Sequence, residues 1–452
     1  MIAARNLFER FVPPGALLLA ALTFGSYAMG LVRDRTFAHT FGAGPELDAY
    51  NAAFVLPELL LDVLVASGLT APFVPIFVGL AARSRSDAIE FGRTVATAAC
   101  GLMLAVSIIL FVAAPATTAL IAPGFSGEQA TRYVELFRLM CLTPAMFALS
   151  IALGELLVAE RRFLWYALAP ILYNAGIVGG TVVLAGRLGI AGAAIGTVIG
   201  AGLHLGIRVV GILRTDLRLR PMFKVRTAAV REFVRLMLPK MAAHPIEPIT
   251  FLFFTQLATT LGAGTVSSLS FARNFQSVPV NLIGAAFSIA VFPALSAAAA
   301  AGNRAAFTRT LRGNLVTVGA LSVVAGIGLA IVSGLAIRIL LGGGAFDEAS
   351  AARTASLLVA FAISVPFDAV AQPLARGLYA TRNTTWPVLA SVVSLVVIVA
   401  ATTLLVAPAG VLAIPLGFAL GAAAKVVVMA VALPGRIRQL GSAGEIEART
   451  RA

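Results

Sequence analysis

The sequence predicts an all-α integral membrane protein with about twelve transmembrane helices in two repeated six-helix lobes around a central cavity. Of the 452 residues, 59% are hydrophobic and 12% are charged, whereas about a quarter of a typical soluble domain is charged. The apolar residues form long runs, such as 104–121 and 388–406, and about 20 helical residues cross a bilayer. Because these runs are continuous and do not alternate with polar residues, helices fit better than barrel strands.

Twelve apolar segments are separated by short polar loops. We expect helices at about 14–32, 49–80, 95–120, 133–158, 163–185, 190–212, 232–260, 266–298, 313–341, 350–379, 386–406 and 411–433. Several are longer than a minimal span, which indicates tilt or an interfacial portion. The domains predicted from this pattern are an N-lobe of residues 1–213, a cytoplasmic linker of 214–231, a C-lobe of 232–434 and a cytoplasmic tail of 435–452.

The distribution of basic residues predicts sidedness. The net charge is +14, but the charge lies in short loops between apolar runs and forms no basic domain, so nucleic acid is not an expected partner. Most lysines and arginines fall on one side, which places both termini in the cytoplasm and the chain in the inner membrane. Cys100 and Cys141 lie in apolar stretches and are expected to be core residues without a disulfide or metal role.

The second half of the chain echoes the first at an offset of 221 residues. Arg161 corresponds to Arg382, Gly189 to Gly410, and the chain's two tryptophans, Trp165 and Trp386, to each other. Because each half has an even number of spans, the copies point the same way, and a site between them near the midplane is expected. This organisation suits alternating access.

Charged residues within apolar runs are the candidate functional residues, because each costs about 2.5–3.5 kcal/mol at the centre of a span and such residues usually face a cavity or a partner. The alternative is that they reach an interface or form structural pairs. Candidates in the N-lobe are Arg33, Asp34, Asp48, Glu58 and Asp62. Candidates in the C-lobe are Lys240, His244, Glu247, Arg273, Asp368 and Arg376.

Helix 7 combines three of these residues with two prolines. Pro245 and Pro248 are expected to kink the helix and to free backbone carbonyl groups there. Together with Lys240, His244 and Glu247, the kink forms either a gate or proton-linked site, or a bend that packs against a neighbouring helix.

No pattern in the chain indicates an enzyme. The three histidines and two cysteines have no zinc spacing, and no glycine-rich phosphate loop is followed by Lys and Ser/Thr. We therefore expect no metal and no cofactor. The driving force for transport is then an ion gradient, the membrane potential or the gradient of the substrate.

The motifs between residues 30 and 77 resemble a known family. Gly30, Arg33-Asp34, the FGAG of 41–44, Asp48-Ala49-Tyr50, Leu56-Pro57 and Phe73-Val74-Pro75 are similar to the N-terminal signature of the MurJ/MviN family, the lipid II flippases of the multidrug/oligosaccharidyl-lipid/polysaccharide exporter superfamily. Phe271-Ala272-Arg273 and Phe292-Pro293 form a second, weaker similarity.

The resemblance implies that Arg33, Asp48 and Arg273 line a central cavity, where arginines hold the diphosphate of a lipid-linked sugar. Compared with the family pattern that the resemblance implies, this chain differs at two places. The family has Ser-Arg where this chain has Ser26-Tyr27, and an Arg pair where it has Leu61-Asp62. The family's two further helices, which form a groove for the polyprenyl tail, have no counterpart after residue 433.

Three functions follow from these observations. The first is a flippase for a polyprenyl-diphosphate-linked cell-wall precursor, lipid II or a relative, with membrane lipids around it, cell-wall synthesis proteins as candidate partners, and a monomeric state. The second is an ion-coupled exporter of small amphipathic or cationic compounds, for which Asp48, Glu58 and Asp62 would supply carboxylates. The third is a membrane scaffold that does not transport.

Overall fold

The computed structural model describes residues 14–440 except Leu219 and His244. Twelve helical segments follow one another in this part of the chain, and the β-structure within it is a single isolated bridge between Gly343 and Phe346. The segments are α1 (Pro14–Phe41), α2 (Pro45–Ala81), α3 (Arg85–Ile121), α4 (Gly127–Ala159), α5 (Phe163–Leu188), α6 (Ile190–Leu213), α7 (Ala228–Ala243 and Ile246–Thr260), α8 (Thr265–Ala300), α9 (Arg304–Leu340), α10 (Glu348–Ala362 and Val365–Ala380), α11 (Thr385–Ala409) and α12 (Ala413–Gln439).

The helices are long and apolar enough for a multi-pass membrane protein. Among the described residues, eight can cross a membrane by length and composition, or nine when the two parts of α10, bent by 42°, form one span. In this count α11 and α12 are one run, Thr385–Gln439, and α1 and α7 are outside it. Large aliphatic side chains such as Ile331, Leu404 and Val431 are exposed, as expected of helices that face lipid. The predicted all-α membrane fold is confirmed.

Several helices extend further than their apolar runs. The sequence predicts that α1 ends near residue 32, but it continues to Phe41, because Arg33 and Asp34 form an ion pair within the helix. At α3 the predicted start is near residue 95, but the helix begins at Arg85, where the side chain of Ser84 accepts a hydrogen bond from the Asp87 N–H. A hydropathy pattern does not detect such N-caps, because they depend on a polar side chain before the apolar run.

Prolines and π-turns interrupt α2 and α8. In α2, a π-turn covers Asp62–Ala66, five residues after Pro57. In α8, a π-turn covers Val280–Ala285 directly after Pro279. Such turns insert one residue into the helix and are frequent at functional sites. In α7, the helix is interrupted between Ala243 and Ile246, where the sequence predicts a kink.

By packing, the chain divides into two units. The first unit comprises the residues up to Gly264 together with Gly343–Phe346, and the second comprises Thr265–Gly342 and the residues from Asp347 onward. Within the first unit α7 packs against α2 and α3. This division follows contacts, whereas the predicted lobes follow the repeat in the sequence, so the lobe limits at 213, 231 and 434 stay a prediction.

The backbone repeats at the same offset as the sequence. Arg161 and Arg382, 221 residues apart, are the two non-glycine residues of the described chain with positive φ, at 56° and 58°. Gly189 and Gly410, at the same offset, both have φ of 56°. An arginine in the left-handed region is uncommon, so its recurrence at matching positions confirms the internal repeat.

Glycines let α5 and α6 approach closely. A Cβ added to Gly180 would lie 2.8 Å from the backbone nitrogen of Gly196, and one added to Gly176 would lie 2.6 Å from that of Gly200. The interface is therefore backbone against backbone, which is how small residues hold membrane helices together. The glycine-rich run of 190–202 supplies Gly196 and Gly200 to this interface.

We expect Gly180→Val to destabilise the first unit by about 3 kcal/mol or more, because two backbones must separate to admit the side chain. The measurement is thermal unfolding of the purified protein in detergent, with membrane yield recorded in parallel. Gly179→Val is the matched control, because no heavy atom lies within 4 Å of a Cβ added to Gly179. Equal stability of the two variants would contradict the close packing.

Candidate functional site

Arg33, near the end of α1, is held by two side chains. Its Nε and Nη2 donate to Oδ1 of Asp34 at 3.0 and 2.8 Å, and its Nη1 donates to Oδ1 of Asn174 on α5 at 3.1 Å. Asn174 is itself oriented by a hydrogen bond from its Nδ2 to the carbonyl oxygen of Pro170. The guanidinium is therefore fixed in position by groups on two helices.

Part of this guanidinium stays accessible. The Arg33 side chain is 27% exposed, whereas the Asp34 side chain is 8% exposed. Three of the five N–H groups of an arginine are used by Asp34 and Asn174, and two remain. The predicted pair of Arg33 and Asp34 is thus a preorganised cation with free donors and a buried counter-charge.

Tyr50 positions the first half of α2 beside this group. Its hydroxyl lies 2.7 Å from Oγ1 of Thr197 on α6, and its ring packs edge-on against Phe37 and Phe54. Tyr50 and Thr197 are both buried. The bond ties α2 to α6, and the aromatic contact ties α2 to α1.

Asp48 has a different environment from Arg33. It is 1% exposed, and its Oδ2 accepts a hydrogen bond of 2.6 Å from the N–H of Gly264, in the loop between α7 and α8. A carboxylate that accepts from a backbone N–H forms one of the stronger hydrogen bonds. The contact joins the first turn of α2 to the loop that follows α7.

An acidic cavity lies between α2 and α7 in the first unit. It encloses about 400 Å³ and is lined by Glu58, Asp62 and Glu247, with Phe251 and aliphatic side chains around them. Glu58 and Asp62 are four residues apart on one helix face, and Asp62 begins the π-turn. Three of the predicted residues are therefore brought together, although Glu247 lies 185 positions after Asp62 in the sequence. Lys240 lies on α7, and His244 lies outside the described residues.

In the second unit, Arg273 forms a cluster with residues of α10 and α12. Its Nη1 donates to Oε1 of Gln276, and the Nε2 of Gln276 donates to Ser364 at 3.0 Å and to Asp368 at 3.3 Å. Arg273 and Asp368 form an ion pair at 4.0 Å. The guanidinium carbon of Arg273 lies 4.8 Å from the ring centre of Phe418, a cation–π distance.

Arg376 and Arg208 are two further charged groups within helices. Arg376, on α10, lies over the ring of Phe292 at 5.3 Å. Arg208, which hydropathy assigns to the basic flank of the linker, is buried in α6, where it donates to the carbonyl oxygen of Ser150 at 2.7 Å and lies 4.9 Å from the ring centre of Tyr166.

Sequence reasoning missed the neutral members of these clusters. Asn174 and Gln276 bond the arginines, Ser364 bonds Gln276, and Thr197 bonds Tyr50. The available signal was a carboxamide within an apolar run, as in the ILYNAGIVGG of 171–180. Because a buried amide needs partners, such residues mark polar clusters, although the partner itself is set by packing.

Repeated helices with preorganised charges inside their apolar spans define a multi-pass membrane transporter. The chain belongs to the MurJ family, because residues 37–447 match the family model described as "Lipid II flippase MurJ". The matched range begins after Arg33, so the family match says nothing about that residue, and its role is argued from its hydrogen bonds to Asp34 and Asn174.

Individual comparisons agree with the family. The chain is 24% identical over 385 residues to the probable lipid II flippase MurJ of Rickettsia prowazekii (strain Madrid E), which covers 84% of this chain and 76% of the relative. A solved lipid II flippase MurJ in an inward closed conformation has the same fold, with a TM-score of 0.80, 23% identity, and coverage of 95% of this chain and 91% of that one. An inward-facing multidrug resistance MATE family transporter of the MOP superfamily matches with a TM-score of 0.71 and 14% identity, over 93% of this chain and 95% of that one. The predicted family is confirmed.

We expect Gln276→Leu to destabilise the second unit by about 1–3 kcal/mol, because it removes the hydrogen bonds of the buried Gln276 side chain to Arg273, Ser364 and Asp368. Thermal unfolding in detergent measures this loss. Ser277→Ala is the control, because within the described residues the Ser277 hydroxyl bonds only the Asn274 carbonyl of its own helix. If both variants unfold at the temperature of the unsubstituted protein, Gln276 does not organise the cluster.

Proposed function

We propose that the chain is a flippase that moves lipid II, or a related polyprenyl-diphosphate-linked cell-wall precursor, across the cytoplasmic membrane by alternating access. Membership of the MurJ family supports this substrate class. Within the molecule, the observation that carries the proposal is the guanidinium of Arg33, which Asp34 and Asn174 hold in place with two N–H groups left for a ligand.

An arginine of this kind suits a diphosphate. The guanidinium fork matches two phosphate oxygens at once and keeps its charge in an apolar environment. Hydrogen bonds between charged groups contribute about 1.5–3 kcal/mol each. Because Asp34 and Asn174 already fix the side chain, little rotamer entropy remains to be lost when the diphosphate binds.

We assign the remaining predicted residues by their surroundings. Arg273 is the second candidate for contact with the diphosphate, with Asp368 as its counter-charge and Gln276 as its support. Asp48, which bonds the Gly264 N–H, acts in this proposal by positioning α2. Arg376, over Phe292, is assigned to gating.

The alternative is an ion-coupled exporter of small amphipathic or cationic compounds. The acidic cavity of Glu58, Asp62 and Glu247 favours it, because carboxylates next to an aromatic ring suit a cation. At Leu61-Asp62 the chain lacks an arginine pair that the family resemblance implies, and Asp62 contributes to the cavity. The likeness to MATE transporters is one of fold.

Topology and partners complete the proposal. The basic loops favour cytoplasmic positions for both termini, which makes residues 214–231 a cytoplasmic linker between the two lobes. The substrate is a lipid-linked sugar in contact with membrane lipids. The proposal further includes a monomeric transporter without cofactor or metal, with cell-wall synthesis proteins as candidate partners.

Arg33→Ala and Arg273→Ala are each expected to reduce lipid II flipping at least tenfold, since each removes a charge-assisted contact to phosphate worth roughly 1.5–3 kcal/mol. The measurement is survival of cells depleted of their own lipid II flippase, with expression and membrane insertion confirmed. Arg187→Ala is the control, because Arg187 is an exposed arginine near the end of α5. Full rescue by both variants would exclude the diphosphate contact.

The triple variant Glu58→Gln, Asp62→Asn and Glu247→Gln separates the two functions. A flippase that holds its substrate through Arg33 is expected to keep rescuing cells, whereas a cation exporter is expected to lose efflux of a lipophilic cation such as ethidium by tenfold or more, as the cavity loses its negative charge. Rescue and ethidium efflux are measured on the same strains. Efflux that depends on the three acids, without rescue by the unsubstituted chain, would replace the flippase by the exporter.

A further inference from the structure

A second cavity, which shares no lining residue with the acidic cavity, lies between α2, α3 and the first turns of α7. It encloses about 440 Å³, within the range of about 300–1,000 Å³ that is usual for ligand pockets. Its walls are mostly aliphatic and include Leu64, Leu69, Ala99 and Leu102. A hydrocarbon chain therefore finds an apolar surface on several sides.

One end of this cavity is polar. Thr94 on α3, Arg226 on the linker and Arg231 on α7 line it. Thr94 is buried, and its hydroxyl has no hydrogen-bond partner within the described residues. From Thr94 to Leu102 the helix rises by about 12 Å, so the cavity has a polar end and an apolar end along α3.

Two basic side chains beside this cavity, Lys224 on the linker and Arg93 on α3, already have partners. Lys224 forms an ion pair of 2.6 Å with Glu90, and Nε of Arg93 donates to the carbonyl oxygen of Arg218 at 2.7 Å. The Met222 N–H donates to Oγ1 of Thr97. These contacts fix the linker against α3 and so hold Arg226 in place at the mouth of the cavity.

Asp216 strengthens the same attachment. Arg85, at the start of α3, donates to both carboxylate oxygens of Asp216 at 2.9 and 2.5 Å. These hydrogen bonds lower the pKa of Asp216 below its ordinary value, because they favour the charged carboxylate, and they anchor the linker to α3.

Arg226 and Arg231 differ from these neighbours. Both are exposed, and in the described part of the chain neither side chain forms an ion pair or hydrogen bond. Two guanidinium groups without a counter-charge thus line the polar end of an apolar cavity. An anionic group there would be attracted by both.

The cavity also opens toward the lipid-facing side. Leu102 is 45% exposed, and Ile109, seven residues further along the same face of α3, is 66% exposed. A hydrocarbon chain can therefore enter sideways from the bilayer, while its headgroup stays at the level of the linker, where basic residues meet the membrane surface.

We propose that this cavity binds an anionic membrane phospholipid, with one acyl chain between α2, α3 and α7 and its phosphate at Arg226 and Arg231. The uncompensated guanidinium groups select the negative headgroup, and the aliphatic walls select the chain. The site is separate from the proposed substrate contacts at Arg33 and Arg273, so its existence does not depend on which substrate is transported.

Native mass spectrometry of the purified, delipidated full chain tests the site. Phosphatidylglycerol and phosphatidylcholine with identical dioleoyl chains are titrated separately. We expect about 25-fold tighter binding of phosphatidylglycerol, because an interfacial arginine contributes about a factor of five to the binding of an anionic lipid. In Arg226→Gln with Arg231→Gln, the two lipids should bind almost equally.

Arg220→Gln with Arg235→Gln is the matched control, because both arginines are exposed on the same segment and neither lines the cavity. This pair should keep most of the preference. Ala99→Trp, which fills the cavity, and Leu102→Trp, which covers its lipid-facing opening, should each weaken phosphatidylglycerol binding at least fivefold. Two tryptophan variants are used so that a folding defect in one does not decide the result.

Several outcomes would overturn the proposal. They are equal binding of the two lipids, an equal loss in the control pair, unchanged binding in both tryptophan variants, and displacement of phosphatidylglycerol by millimolar inorganic phosphate, which would mean a simple anion site. Selective binding of a polyprenyl phosphate, with none of phosphatidylglycerol, would exclude the phospholipid as occupant.

Discussion

The structure depends on how charges are accommodated inside apolar helices. A guanidinium within a span costs several kcal/mol unless it is paired. At Arg33 and at Arg273 the solution is the same, since an acid supplies the counter-charge and a carboxamide supplies a further hydrogen bond. Helix α1 can therefore continue past its charged residues, and α8 can hold an arginine close to α10 and α12.

Close helix packing sets where these groups are. Because Gly180 and Gly196 bring the backbones of α5 and α6 together, Asn174 on α5 and Thr197 on α6 occupy fixed positions relative to each other. Asn174 then reaches Arg33, and Thr197 reaches Tyr50. The glycine interface and the polar cluster therefore depend on each other. The absence of side chains at Gly180 and Gly196 lets α5 and α6 approach, and this approach positions the hydrogen bonds of Asn174 and Thr197.

The all-α membrane fold and the repeat could be predicted because each leaves a local pattern. Apolar runs gave the spans, and the correspondence of Arg161 with Arg382 is repeated by the left-handed backbone at both. The ends of α1 and α3 were predicted wrongly, because an ion pair and a serine N-cap extend helices beyond their apolar runs.

Partners at long range could not be predicted. Asn174 lies 141 residues from Arg33, and Glu247 joins Glu58 and Asp62 only because α7 packs against α2. Asp48 was recognised as an acid near apolar residues, but its partner is a backbone N–H that no side-chain pattern encodes. In each case the residue type was visible in the sequence, while the contact depends on tertiary packing.

The same pairing bears on how a carrier of an anionic lipid would release its cargo. A diphosphate that binds Arg33 meets a guanidinium already neutralised by Asp34, so the attraction is smaller than that of an uncompensated cation. Transport needs binding that is strong enough for entry and weak enough for exit. An arginine fixed by its own counter-ion meets both requirements, because its geometry is prepared while its net charge is low. A flippase of this kind can therefore recognise a diphosphate by the direction of its hydrogen bonds and by fit.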